Sequence, residues 1–188
     1  MPWLILGVGA VLAYVLYARV SRAVSLEEEN NVSAQANIAA FLRMIRYAEG
    51  TYDDAGYHRL FGGGSFDDLS QHPGATGWKV SGEFLHVGET TYTTAAGAYQ
   101  ITYTTYKRVA PDLDISDFSE DSQDAIAKEL IRQAGAMEDV IAGNFENAVK
   151  SVSGIWASMP YASAPQPHQS YAKLSQIYLA NGGTIASV

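Results

Sequence analysis

From Trp3 to Ala18 the chain runs sixteen residues without a charged side chain and then meets Arg19 and Arg22. As a helix rising ~1.5 Å per residue, that run spans about 24 Å, somewhat less than a ~30 Å hydrocarbon core. Counting on to Val24, with the two arginines reaching back to the interface, gives an adequate span. Trp3, Tyr14 and Tyr17 near its ends suit an interfacial aromatic belt. The pattern therefore predicts a transmembrane anchor or signal-anchor helix over residues 1–24, with a lipid bilayer as partner through residues 3–24. A cleavable leader would carry charge ahead of the apolar run, and a core helix would show a polar face. The arginine flank by itself assigns the rest of the chain to the cytoplasmic side.

Residues 25–33, SLEEENNVS, read as a polar linker, and residues 34–188 as one domain. Ile38, Phe41, Leu42 and Ile45 fall at i, i+3, i+4 and i+7, one apolar face of a helix that Gly50 terminates. Between Thr51 and Ala95 the composition turns to Gly, Asp and Thr, with FGGG and HPGATG as turn signals. Short antiparallel strands are expected there, at WKV and FLHV. Ser119 can cap a helix carrying Ile126, Leu130 and Ile131, and Asn144 one carrying Phe145, Ala148, Val149 and Val152. A last helix carries Tyr171, Leu174, Ile177 and Tyr178 and stops at Asn181-Gly182-Gly183. The class is α+β: mostly helical, with a small antiparallel sheet near the front.

The 188 residues carry a formal net charge of -8, and residues 34–188 hold 10 Lys and Arg against 17 Asp and Glu. That balance, with no basic stripe beyond residue 22, argues against nucleic acid as a partner. The absence of cysteine removes disulfides, thiolate metal sites and cysteine nucleophiles. His58, His72, His86 and His168 show no helical metal-binding spacing, so no metal and no cofactor are expected. No GxSxG elbow supports serine-hydrolase chemistry.

One carboxylate stands out. Glu49 lies four positions after Ile45 and so extends the apolar face of its helix. A carboxyl group aimed at a core or a cleft wall loses hydration and its pKa rises, which is what a general acid for glycoside cleavage needs. Read alone, Glu49 could equally be a frayed helix end or a partner of Arg46. TTAAGAYQI at 93–101 places small residues and Gly97 ahead of Tyr99 and Gln100, as where backbone approaches a ligand. The Gln100 amide both donates and accepts, as a sugar N-acetyl or hydroxyl group requires.

The ordered series YAEG, FGGGSFDDLSQHP, TTAAGAYQ, FSEDSQDAIA and IWASMP resembles the lambda-type phage endolysins, over about Phe41 to Thr184. The resemblance implies a lysozyme-like fold and lytic transglycosylase activity on the β-1,4 bond between N-acetylmuramic acid and N-acetylglucosamine, with the glycan strands of peptidoglycan as partner. It gives Glu49 the place of the single acid/base and puts Gly97, Tyr99 and Gln100 beside the scissile bond. Tyr57, Asp68, His72, Thr94 and Trp156 are further candidates for saccharide contact, with Trp156 equally suited to the core. The chain departs from the family at its amino-terminal apolar run and in a shorter loop between Glu49 and Tyr57. A hydrolytic muramidase stays open, since Asp53, Asp54, Asp67, Asp68, Glu83 and Glu89 offer a second carboxylate. A non-catalytic wall-binding membrane protein of a virion is the other alternative. The expected location is a membrane-anchored domain facing the periplasm and wall, or carried in a phage particle membrane.

Overall fold

The computed structural model describes residues 3–82, 91–163 and 167–187, with side chains from Arg19 onward. Helix α1 runs from Trp3 to Ala48 without interruption. It is followed by a single turn of 3-10 helix at Asp54–His58, another at Pro73–Thr76, and strands β1 (Val80–Gly82) and β2 (Thr91–Thr93). Helices α2 (Tyr103–Val109), α3 (Glu120–Gln133), α4 (Met137–Ala142), α5 (Phe145–Val152) and α6 (Tyr171–Ala180) complete the domain. The strands pair antiparallel, with Val80 opposite Thr93 and Gly82 opposite Thr91. This is a mostly helical domain with a small two-stranded sheet, in agreement with the sequence pattern. WKV enters the sheet only through Val80, and FLHV at 84–87 lies outside the described residues.

The second half of α1 is the axis of the domain. Phe41, Met44 and Ile45 are fully buried, and α4 and α6 pack along this half. Phe145 from α5 stacks on Tyr178 from α6 at 4.7 Å between ring centres, and Phe41 meets both edge-on. Asn37, buried among them, donates its amide to the Ile141 carbonyl and accepts from both the backbone N–H and the hydroxyl of Thr184. The carboxy-terminal segment is thereby tied to α1 through a polar group whose hydrogen-bonding capacity is used inside the core.

Two expectations for the amino-terminal third change. Residues 25–33 are helical and largely exposed, an uninterrupted part of α1 rather than a linker. The segment holds no glycine or proline to stop a helix, and Leu26 and Glu27 to Glu29 favour one; its polarity signals exposure, not irregular backbone. The expectation of a membrane-anchored chain, with residues 3–24 in a bilayer, is also corrected. Among the described residues, no helix is long and apolar enough to cross a membrane. The uncharged run fell short of a full span by itself and reached one only by drawing in Arg19 and Arg22. It is the opening part of a 46-residue helix whose other end is the domain core.

Candidate active site at the end of helix α1

Helix α1 ends on a left-handed glycine, Gly50 with φ +73°. The Gly50 N–H bonds to the Tyr47 carbonyl at 3.2 Å and the Thr51 N–H to the Arg46 carbonyl at 2.8 Å. This paired closure holds Glu49 at the capping position just past Ala48 and removes the fraying expected of an unsatisfied helix end. Thr51 is fully buried, and its hydroxyl donates 2.5 Å to the Ala98 carbonyl, which fastens the helix end to the 97–100 loop. Gly56 must be a glycine here: a Cβ on it would stand 2.0 Å from the Thr51 carbonyl oxygen.

The Glu49 side chain is largely withdrawn from solvent. The Ser158 hydroxyl donates to its Oε1 at 2.5 Å. Loss of hydration raises the Glu49 pKa to about 7, and the Ser158 hydrogen bond, which favours the ionised form, opposes that rise. Nearby, the Trp156 indole N–H donates to the Tyr99 carbonyl at 3.0 Å. Three segments thus converge: the end of α1, the 97–100 loop and residues 156–158.

The 97–100 loop is shaped by close approach. Gly97 has φ +77°, and a Cβ there would lie 2.1 Å from the Gln123 side-chain oxygen. That oxygen accepts the Ala98 N–H at 2.8 Å, while the Gln123 amide donates to the carbonyls of Tyr57 and Phe118. Gln100 has φ +48°, and its half-buried side chain donates to the Gly97 carbonyl at 3.1 Å. The loop is also joined to the chain after Tyr57, with the Gly97 N–H bonded to the Arg59 carbonyl at 2.8 Å.

The remaining candidates separate by burial. Tyr99 is 1 % exposed and Trp156 4 %, so both belong to the core beneath the loop rather than to its open face. Tyr99 and Tyr57 both donate to Asp124 Oδ1, at 2.6 and 2.9 Å, and the Arg46 guanidinium lies 4.4 Å from the centre of the Tyr57 ring. Burial, helped by the Asp124 carboxylate, pushes the Tyr57 hydroxyl up to about 12 and raises that of Tyr99 as well, so both remain donors at neutral pH. His72 is a correction. Expected to face substrate, it is fully buried, its Nε2 at 2.9 Å from the Ile101 carbonyl and its Nδ1 accepting the Gly74 N–H at 3.0 Å. That pattern fixes the neutral, Nε2-protonated ring; burial lowers its pKa, and Phe118 and Tyr103 pack against it. Thr94 is half-buried and accepts the Tyr103 N–H. Asp68 is exposed and caps its own turn by accepting the Ser70 N–H and hydroxyl, which lower its pKa.

Ser158, Gln123 and Asp124 did not emerge from the sequence pattern. Gln123 carried a usable signal, since it lies on the apolar stripe of Ile126, Ala127 and Leu130, as Glu49 lies on that of α1. Ser158 lies within IWASMP but has no periodicity to mark it; its partner is 109 residues away. Among the described residues, no cluster of His, Asp and Glu is arranged to hold a metal ion.

This arrangement has counterparts. The sequence matches the Endolysin family over residues 39–185. The endolysin of Escherichia phage P2 is 36% identical over 165 residues, covering 82% of this chain and 98% of that one. The endolysin of Escherichia phage lambda is 30% identical over 155 residues, covering 79% and 93%. In three dimensions the bacteriophage lambda lysozyme complexed with a chitohexasaccharide matches with a TM-score of 0.70 at 30% identity, over 80% of this chain and 97% of that one. A second structure of lysozyme from bacteriophage lambda gives 0.68. A desolvated glutamate closing a long helix, a small sheet after it, and agreement along nearly the full length of these relatives lead to one assignment: this chain belongs to the endolysin family.

Proposed function

We propose that this endolysin, a peptidoglycan-cleaving enzyme of the lambda lysozyme type, works as a lytic transglycosylase with Glu49 as its single acid/base. The observation that carries the proposal is the half-buried Glu49 carboxyl at the end of α1, held by the Ser158 hydroxyl and with its pKa raised to about 7 by loss of hydration. At neutral pH such a group is both a competent proton donor and, once ionised, a competent acceptor. With Oε1 taking the Ser158 hydroxyl, Oε2 delivers the proton to the glycosidic oxygen as the bond to the muramic acid C1 breaks. The C6 hydroxyl of the same sugar then attacks C1 and gives its proton to Glu49. The C1–O6 bond closes a 1,6-anhydro ring and the acid is restored without consuming water. An internal nucleophile gains from proximity, up to ~7–11 kcal/mol in well-oriented cases. Ser158 supports the ionised interval between the two proton transfers by donating to the carboxylate.

Gln100 and Thr94 are the proposed saccharide contacts from the middle of the chain, since both are half-exposed and carry donors and acceptors. The relative solved with a chitohexasaccharide supports an N-acetylated glycan as the ligand class.

The second reading is a hydrolytic muramidase, which needs another carboxylate about 5–9.5 Å from Glu49. Asp53 follows on the next stretch of chain, but both of its oxygens are held by Arg59 at 2.8 and 2.7 Å. Asp54, Asp67 and Asp68 are exposed; Glu83 and Glu89 lie outside the described residues. Product chemistry separates the readings. Purified peptidoglycan is digested with the full-length protein and the muropeptides are identified by mass spectrometry. Anhydro-muramic ends are the expected result, and reducing muramic ends would replace the transglycosylase with a hydrolase.

A further inference from the structure

Asp124 is the meeting point of two segments that are distant in sequence. One oxygen, Oδ1, accepts the Tyr57 hydroxyl at 2.9 Å and the Tyr99 hydroxyl at 2.6 Å. Tyr57 belongs to the 3-10 turn at Asp54–His58, and Tyr99 to the loop that carries Gln100. Gln123, the preceding residue of α3, grips the same two segments through their backbones, at the Tyr57 carbonyl and the Ala98 N–H. The first turns of α3 therefore hold the segment after Glu49 against the loop beside it.

Packing and hydrogen bonding share in this spacing. Tyr57, Tyr99 and Asp124 border a cavity of about 270 Å³ between α1 and α3, lined also by Gln35, Leu42 and Lys128. At the wall of that cavity the two hydroxyls converge on one carboxylate oxygen, so the hydroxyl–carboxylate bonds help to fix where the rings stop. The backbone carbonyl of Tyr99 takes the Trp156 indole, two residues before Ser158 and its bond to Glu49. A displaced Tyr99 is thus transmitted to Gln100 in the same loop, while the Ser158 bond to Glu49 is kept.

We propose that Asp124 is a positioning residue for glycan cleavage, one that sets the separation of the 54–58 turn and the 97–100 loop by accepting the hydroxyls of Tyr57 and Tyr99. It touches no reacting atom. The inference rests on the reading in which Glu49 is the acid.

The test is steady-state cleavage of solubilised peptidoglycan by the full-length protein, expressed per folded molecule, across a pH series. Asp124→Ala is expected to lower kcat about tenfold, because a shift of the order of an ångström in bound geometry is costly in rate. The alkaline limb set by Glu49 is expected to stay in place. Asp124→Asn, which keeps an oxygen acceptor where Oδ1 stands, is expected to recover most of the loss. Tyr57→Phe removes one hydroxyl only and is expected to lower kcat about threefold, with no added effect on top of Asp124→Ala. Should Asp124→Ala fail to fold, Tyr57→Phe and Asp124→Asn carry the test. Turnover within about twofold of wild type in the folded Asp124→Ala protein, or in Tyr57→Phe, would overturn the inference. Retained cleavage by Glu49→Gln in the same assay would instead overturn the reading beneath it.

Discussion

Two stretches of this chain that carry candidate carboxylates, residues 46–51 and residues 66–72, were both candidates for saccharide chemistry, and the fold treats them in opposite ways. In the first, a helix closure on Gly50 keeps Glu49 on the apolar face of α1, where loss of hydration raises its pKa to about 7. In the second, the chain turns outward, and the Ser70 N–H and hydroxyl hold the Asp68 carboxylate below its ordinary value in open solvent. The histidine that follows, His72, goes inward with both ring nitrogens spent on backbone. Carboxylate chemistry here depends on environment rather than on residue type. A half-buried acid with one hydroxyl partner can hold and release a proton near neutrality, whereas an exposed acid that caps its own turn stays ionised.

The largest effect that can break this contrast is at Glu49 itself. Glu49→Gln is expected to reduce cleavage of peptidoglycan at least 10³-fold, the upper part of the range for loss of a general acid, while the protein remains folded. The same variant sharpens the point thermodynamically. Folding raises the Glu49 pKa above its unfolded value of about 4.5, so the favourable contribution of its proton is complete below that pH and is lost as pH rises through about 7. Wild type and Glu49→Gln should therefore unfold alike near pH 4, and the variant should be the more stable by about 3 kcal/mol at pH 8 in denaturant titrations.

His72→Ala comes next. It empties a buried ring site and strands the Ile101 carbonyl and the Gly74 N–H, so it is expected to cost about 3 kcal/mol of stability. The KM of the folded fraction should remain within about twofold of wild type. A large rise in KM without loss of stability would return His72 to the substrate side. Ser158→Ala removes the donor that favours ionised Glu49, so the alkaline limb of kcat/KM is expected to move to higher pH, with about a tenfold loss of rate at neutral pH. A limb that stays put or moves down would contradict the hydrogen bond at Oε1. Asp68→Ala is the smallest: kcat/KM should change by less than about twofold, checked in the same assay.

The regular elements were legible because burial repeats at the helical period. Phe41, Leu42 and Ile45 in α1, Ile126 and Leu130 in α3, and Phe145, Ala148 and Val149 in α5 are buried on the faces their spacing indicated. Ser119 caps α3 by accepting the Ser122 N–H, as its position suggested. Helix α5 begins after Asn144, but that side chain makes no cap and donates to Asp139 instead. Glu49 was visible as a charged group on an apolar stripe. Ser158, Asp124 and Thr51 were not, because each acts through a partner brought close only by tertiary packing. Tyr99 and Trp156 were legible as members of motifs, but a motif does not say which face of a loop a ring takes. The rings turn inward here because Asp124 and the Tyr99 carbonyl offer partners there.

The most direct measurement is the titration of the Glu49 carboxyl itself, by carbon NMR of the folded, full-length protein with Glu49→Gln used to assign the resonance. A midpoint near 7 that falls to an ordinary glutamate value on unfolding is the expected result. A midpoint near 4.5 in the folded protein would mean that the end of α1 leaves Glu49 hydrated and ionised, and it could not then serve as the acid.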